Sequence, residues 1–409
     1  MYNVLQIAPS IKDGAFSCLK NFVGYNGSIN MKRRPVEDIA IRSVRADELK
    51  ERNDKAREVV EKAATPLLED GDLRVFAEYY GKENPKYSKR QVEKDLKFVG
   101  WRRGELALNN SRDLTLPHAV EFLMKRWLDN GQFFGDEGRK EDEPLATRTH
   151  DYDDFVHGID VVKTLDLSET EVEMVEQRTL TMAFDVTMSN KDNVIRNKLR
   201  QFRNGLPYGF TKIKYYVAKM PENPTKFIAP GKGLVPRFVI GVDVAKIEDI
   251  LRHGVEEDAE EESADTVLTK FKLLSEIYVQ ANLFLNKLPD GDDVVSRKAE
   301  SYLRAICAMA ERQLVRYTEM MSPTMVDSGS EIWKPTYIDP EIPALPESEL
   351  DMLKETKSTG GAARMISDLM RDPESSVYDK TYATIMNQVE KIDSDGPDKM
   401  PILERAERW

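Results

Sequence analysis

Cysteine is nearly absent: Cys18 and Cys307 are the two in 409 residues. They lie far apart and form no Cys-x-x-Cys pair, which excludes a disulfide framework and a thiolate zinc site. Long apolar runs are missing too. Stretches such as Phe238–Val242 fall far below the ~20 residues of a membrane span, and residues 1–16 lack the charged-then-apolar order of a signal peptide. A cytoplasmic chain without membrane contact is expected. No Gly-x-Gly-x-x-Gly occurs, and Pro230-Gly231-Lys232-Gly233 has neither the length nor the Ser or Thr of a phosphate loop. No Gly-x-Ser-x-Gly occurs, and two scattered cysteines give no basis for a nucleophilic triad. Hydrolysis through a P-loop and acyl transfer therefore have no support.

Positive charge is in deficit. Sixty Lys plus Arg against 72 Asp plus Glu leave a net of -12, which argues against a uniformly basic DNA-coating protein and leaves local patches open. Hydrophobic residues make up 40% and charged residues 32%, enough to bury a core in part of a chain with room for two or three domains.

Residues 1–45 mix Gly, Ser and Asn around Lys32, Arg33 and Arg34 without sustained period, the pattern of a flexible lead-in. Helical spacing runs over Arg45–Ala64 and Asp72–Tyr80, then over Lys89–Val99 behind Ser88 as N-cap and His118–Leu128 behind Pro117. The charged, Gly-containing stretch 131–148 reads as a linker. Residues 1–145 are thus expected to form a helical N-terminal region.

The periodicity then changes. His150–His157 predicts a short helix ended by Gly158. Residues 159–165, 179–189, 212–218 and 237–243 predict strands, and Lys191–Arg203 predicts a helix between them. Val244–His253 reads as a further helix, and the acidic run Glu256–Glu262 as a solvated loop. The expected fold class is α+β or α/β, with a mixed central sheet over 146–255. Thr266–Leu288 and Asp293–Met321 predict a helical hairpin (263–322) packed on that sheet. Residues 323–409 carry five prolines by position 346 and a net charge of -8, with helical spacing near Ala362–Met370 and Tyr378–Ile392. A mostly disordered acidic tail is expected there.

Charge is segregated within the predicted sheet region. Residues 141–185 carry a net of -10 and residues 191–237 a net of +9. Carboxylates converging at strand ends hold hard divalent cations, and an adjoining basic helix and strand suit a phosphate backbone. Asp160 opens the first strand, Asp185 sits late in the second, and Asp154 on the preceding helix adds a third acid. Arg196, Arg200, Arg203, Lys212 and Lys214 supply the basic side. Asp151, Asp153 and Asp154 also fit a helix start, where the dipole favours negative charge. Tyr208, Phe210, Tyr215 and Tyr216 read as sheet packing before base stacking. The cluster Lys97–Gly104 (KFVGWRRG) reads as a surface turn, with phosphate contact as the alternative.

Gly158-Ile159-Asp160 followed by Phe184-Asp185-Val186-Thr187 resembles the PD-(D/E)xK nuclease-like superfamily, with a restriction-endonuclease-like core running α-β-β-β-α-β. Thr187 stands where that family places a Lys, and Lys198 on the following helix is the substitute used by some of its branches, with Lys191 the weaker one. The blocks DYDDFVHGID, FDVT, NKLRQF and VPRFVIGVD are also similar, in the same order, to a group of proteins from candidate-phyla bacteria over roughly 150–285. The resemblance implies a Mg²⁺- or Mn²⁺-dependent nuclease. Asp160 and Asp185 would be its metal ligands, Asp154 an outer acid and Lys198 the group that polarises water or phosphate. The missing Lys at 187 motivates the alternative, an inactive scaffold that binds nucleic acid, or a protein partner through the hairpin or tail. His118 with His150-Asp151 is similar in order to the ligands of helical metal phosphohydrolases, but His150 leads directly into strands.

Overall fold

The computed structural model describes residues 54, 73–74, 88–108, 115–129, 146–166, 179–200, 209–215, 218–219, 227–228, 234–243, 264–288, 294–321, 359–375 and 377–394. The expected lead-in at 1–45, nearly all of the helices at 45–64 and 72–80, the linker up to 145, the helix at 244–253 and the acidic run at 256–262 lie outside the described residues.

Helices α1 (Lys89–Leu108) and α2 (Thr115–Asp129) precede β1 (Thr147–Arg148), α3 (Asp151–His157), β2 (Val161–Asp166) and β3 (Thr179–Thr187). After them come α4 (Asp192–Arg200), β4 (Phe210–Lys212), β5 (Ala218–Lys219), β6 (Phe227–Ile228) and β7 (Leu234–Gly241). The helices α5 (Ala264–Lys287), α6 (Val294–Met321), α7 (Thr359–Arg371) and α8 (Lys380–Ser394) follow. One five-stranded sheet has the order β1-β2-β3-β7-β4, with β3 and β7 parallel and the other pairs antiparallel, and β5 and β6 form a separate ribbon. The architecture is α+β with a mixed sheet.

Local signals place several elements. Ser88 Oγ accepts the Gln91 N–H at 3.2 Å and caps α1. His150 caps α3 through Nδ1, which accepts the Tyr152 N–H at 3.0 Å, so this imidazole serves the helix start. Gly158 ends α3 in the left-handed region at φ 58°, where a side chain would be strained.

Alternation along β2 and β3 makes two dry sheet faces. Val161, Leu165, Leu180, Met182 and Phe184 enter a large core shared with α2 and α4 to α8. Val162 and Ala183 join Ile159, Ile213 and Val235 in a smaller cluster. Because Ala119, Val120, Leu123, Met124 and Leu128 of α2 belong to the same core as the sheet, the boundary expected near 145 does not separate two cores.

β7 outruns its neighbour. β4 pairs only with Leu234–Pro236, and the Gly209 carbonyl accepts the Arg237 N–H at 2.8 Å. Beyond that point side chains of α5 replace a strand. Gln280 accepts the Val239 N–H through Oε1 at 2.9 Å and donates Nε2 to the Val239 carbonyl at 2.7 Å. Glu276 Oε2 accepts the Gly241 N–H at 2.8 Å, and Lys272 Nζ donates to the Gly241 carbonyl at 2.8 Å. Lys272, Glu276 and Gln280 recur every fourth residue and so form one line on the helix. Lys272 Nζ also donates to Asp379 Oδ2 at 2.7 Å, and Asp379 Oδ1 accepts the Tyr382 N–H at 2.8 Å at the start of α8.

Two expectations are corrected here. Residues 359–375 and 377–394 are not disordered: Ile366, Met370, Val377, Tyr382, Ile385, Met386, Val389 and Ile392 are buried in the main core, and that burial favours their ordering. The strand expected at 212–218 is displaced to 210–212, because Asp153 takes the next backbone donors, the Lys214 and Tyr215 N–H groups, at 2.9 and 2.7 Å. No helix among the described residues is long and apolar enough to cross a membrane.

A Cβ on Gly241 would lie 2.4 Å from Thr381 Cγ2 and 2.8 Å from Ile385 Cδ1, whereas one on Gly104 would meet nothing within 4 Å. Gly241→Ala should therefore cost about 1–3 kcal/mol by overpacking, and Gly104→Ala in the exposed part of α1 should add about 0.5–1 kcal/mol; urea unfolding of both variants checks the opposite signs. Burial pushes Glu276 from 4.5 up to about 8, against the pull of Lys272 and the Gly241 N–H. The folded state thus binds more protons than the unfolded one between those values, and stability falls as pH rises from about 4.5 to 8. In Glu276→Gln that part of the pH dependence should vanish from thermal melts at pH 6 and 8.5.

Candidate active site

The site is assembled on the β2–β3 hairpin. Asp160, immediately before β2, donates its backbone N–H to the Phe184 carbonyl at 2.9 Å and accepts the Val186 N–H on Oδ2 at 2.7 Å. Its main chain and side chain thereby grip β3 on both sides of Asp185. Asp185 is 2% exposed. Its Oδ1 accepts Lys198 Nζ from α4 and its Oδ2 accepts Arg237 Nη2 from β7. The parallel register sets Asp185 against Val239, so Arg237, two residues earlier, projects from the same sheet face.

The acids here act on one another's charge. Burial pushes Asp154 of α3 up to about 7, helped by the charges of Glu121, Asp151 and Asp185 and opposed by Arg148. Burial also raises Asp160 well above the usual carboxylate range, again with Glu121, Asp185 and Asp154 contributing and Lys198 opposing. Burial alone would lower Lys198, but Asp185 and Asp160 outweigh it and raise its pKa. Glu121 on α2 pairs with Arg148 Nη2 at 2.5 Å, and the Arg148 guanidinium lies 4.7 Å from the Phe122 ring centroid.

The fold therefore draws together Asp154, Asp160, Asp185 and Lys198, the four residues expected to be catalytic. It adds Glu121 and Arg237, which sequence reasoning missed. Each left a trace: Glu121 is the one acid inside the apolar run Ala119–Leu123, and Arg237 opens an otherwise apolar strand segment. A charge within a run that must be buried implies a partner.

The expected nucleic-acid contacts behave differently. Arg196 Nε donates to Gln388 Oε1 of α8 at 2.8 Å. Lys214 Nζ is held by Asp95 and lies 4.8 and 5.4 Å from the Tyr152 and Tyr215 ring centroids. Both cations are occupied within the fold. Lys212 is half-buried on β4, and Arg203 and the Arg200 side chain lie outside the description. Tyr215 is buried as packing, and its hydroxyl donates to Asp95 at 2.7 Å. Asp153, read as a charge at a helix start, is buried as the backbone acceptor described above, and burial pushes its pKa up to about 7. Burial, with Lys214, Arg237 and Lys212 nearby, lowers His157 to about 4.

Among the described residues no group of three or more His, Cys, Asp or Glu side chains is placed to hold a metal ion. Mg²⁺, however, commonly takes one or two carboxylates with water and substrate phosphate completing its shell. Asp160 and Asp185 offer hard carboxylate oxygens of the kind such an ion takes. No protein-family model, curated protein or solved structure matches this chain.

Asp185→Ala leaves the Arg237 guanidinium, 2% exposed, without its buried counter-charge. The expected loss is about 3–5 kcal/mol. Lys198→Met, at a side chain 27% exposed, should cost distinctly less because Asp185 keeps Arg237. Equal small losses in denaturant unfolding would contradict the buried pair.

Proposed function

We propose that the chain is a metal-dependent nucleic-acid phosphodiesterase of the PD-(D/E)xK-like type, with a restriction-endonuclease-like core and a cytoplasmic location. The observation that carries this reading is the pairing of Lys198, from the helix after β3, with Asp185, beside Asp160 at the start of β2. Asp160 and Asp185 would hold Mg²⁺ or Mn²⁺. A bound divalent ion supplies a low-pKa water and charge neutralisation at the leaving oxygen.

The chain's own residues do the rest. Arg237 of β7 fixes Asp185 of β3. Lys198, shared between Asp185 and the solvent side of the site, is positioned to donate to a phosphate oxygen as negative charge develops there. Asp154, held up to about 7 by its surroundings, is suited to gain and lose a proton near neutral pH. Thr187, in place of the family's Lys, is 6% exposed, and its Oγ1 accepts the Ser189 N–H at 3.2 Å. It therefore has a local structural task.

A second reading has its own support. Both oxygens of Asp185 are already engaged by cations, an arrangement that a non-catalytic descendant would keep for stability while binding nucleic acid or a protein through other surfaces.

Incubation of the purified protein with single- and double-stranded DNA and RNA, in Mg²⁺, Mn²⁺ or EDTA, separates the two. The expected result is cleavage with either metal, none in EDTA, and a loss of at least a hundredfold in Asp160→Asn and in Lys198→Met, both checked for folding by circular dichroism. Cleavage that persists in EDTA or in both variants would overturn the nuclease reading. Binding without cleavage under every metal condition would favour the scaffold.

A further inference from the structure

The cluster Lys97–Gly104 lies inside α1, not in a turn. The buried side of this helix is narrow, formed by Val92, Asp95 and Val99, with Phe98 at its margin 6.2 Å from the Tyr152 ring. Opposite to it, Arg90, Lys94, Lys97 and Trp101 are all exposed. Their spacing of i, i+4, i+7 and i+11 puts them on one stripe. At 1.5 Å per residue the stripe is about 16 Å long, the reach of several consecutive phosphates.

Three features distinguish this stripe from an ordinary solvated face. Its four members carry three positive charges and no acid in a chain of net -12, with the exposed Glu93 at its edge. Arg90, Lys94 and Lys97 form no ion pair among the described residues, whereas the flanking Arg102 and Arg103 pair with Glu105 at 2.9 Å and Asp151 at 2.6 Å. Trp101 at its end is 56% exposed, an aromatic surface left open to water.

We propose that the outer face of α1 binds single-stranded nucleic acid, with Arg90, Lys94 and Lys97 on the phosphates and Trp101 stacked on an unpaired base. Cations along a groove or ridge track a phosphate backbone without reading sequence, and an exposed ring offers a stacking platform that a paired base cannot reach. Charge complementarity alone would equally suit a duplex or an anionic membrane. The ring at the end of the stripe favours the single strand. The surface requires no bound metal and stands whether or not the candidate active site is catalytic.

The test uses the full chain in EDTA, so that cleavage plays no part, and measures fluorescence anisotropy with a labelled oligothymidylate, a labelled duplex and vesicles of phosphatidylserine and phosphatidylcholine. Expected is tighter binding to the single strand than to the duplex and no capture by vesicles. The triple change Arg90→Glu, Lys94→Glu, Lys97→Glu should weaken single-strand binding at least tenfold. The milder triple change to Gln should reduce the slope of log affinity against log salt by about 2, since each phosphate contact contributes ~0.7. Trp101→Ala should weaken binding several-fold at unchanged salt slope. All three variants alter exposed side chains and should keep the wild-type melting temperature. Absence of oligonucleotide binding, binding indifferent to these changes, equal affinity for the duplex, or preferential capture by vesicles would each overturn the proposal.

Discussion

The C-terminal half of β7 has an edge with no strand beside it among the described residues, and the rest of the fold is organised around that shortage. Buried backbone donors and acceptors need partners. Gln280, Glu276 and Lys272 provide them from a helix, each side chain doing what a strand's main chain would do. This pins α5 across the sheet at a fixed register. Through Lys272 and Asp379 the same line fixes the start of α8. Gly241 then lets α8 approach to a distance that any side chain on β7 would obstruct.

The candidate site inherits this rigidity. β7 carries Arg237, β3 carries Asp185, and their parallel pairing holds the two charges together in a dry setting where misplacement is costly. Asp160 adds a second constraint by bonding the backbone on either side of Asp185. Lys198 arrives from α4, which packs against α8 and is tied to it by Arg196 and Gln388. The acids and the lysine thus come from segments anchored by the sheet and by the C-terminal helices together.

Elements with strong local signals were legible in the sequence. Ser88, Gly158 and the alternation of 159–165 and 179–189 lead directly to α1, α3, β2 and β3, and Asp160 and Asp185 could be grouped from their places at the strand ends, whereas Lys198 was singled out by the resemblance to the PD-(D/E)xK superfamily. What remained hidden was decided by distant partners. Lys272, Glu276 and Gln280 look like the solvated side of an amphipathic helix, yet they face inward because one edge of the C-terminal half of β7 has no strand beside it among the described residues. Residues 359–394 look polar and isolated, yet their apolar stripes complete a core begun more than 200 positions earlier. Lys214 looks like part of a basic strand, yet Asp153 and Asp95 end the strand and take the charge. Composition and period carry no information about which side chain substitutes for a missing backbone partner.

The bond between Arg196 and Gln388 joins positions 192 residues apart, and this has a consequence for how the protein is made. At about 5–20 residues per second of synthesis, roughly 10–40 s separate the appearance of α4 from that of the helix that supports it. During that interval a nascent chain already contains every acid of the site while the helix bearing Lys198 still lacks its C-terminal support. Assembly of the site therefore waits on the synthesis of α8, and an aborted chain ending before α8 would carry the acidic residues without the scaffold that positions their lysine.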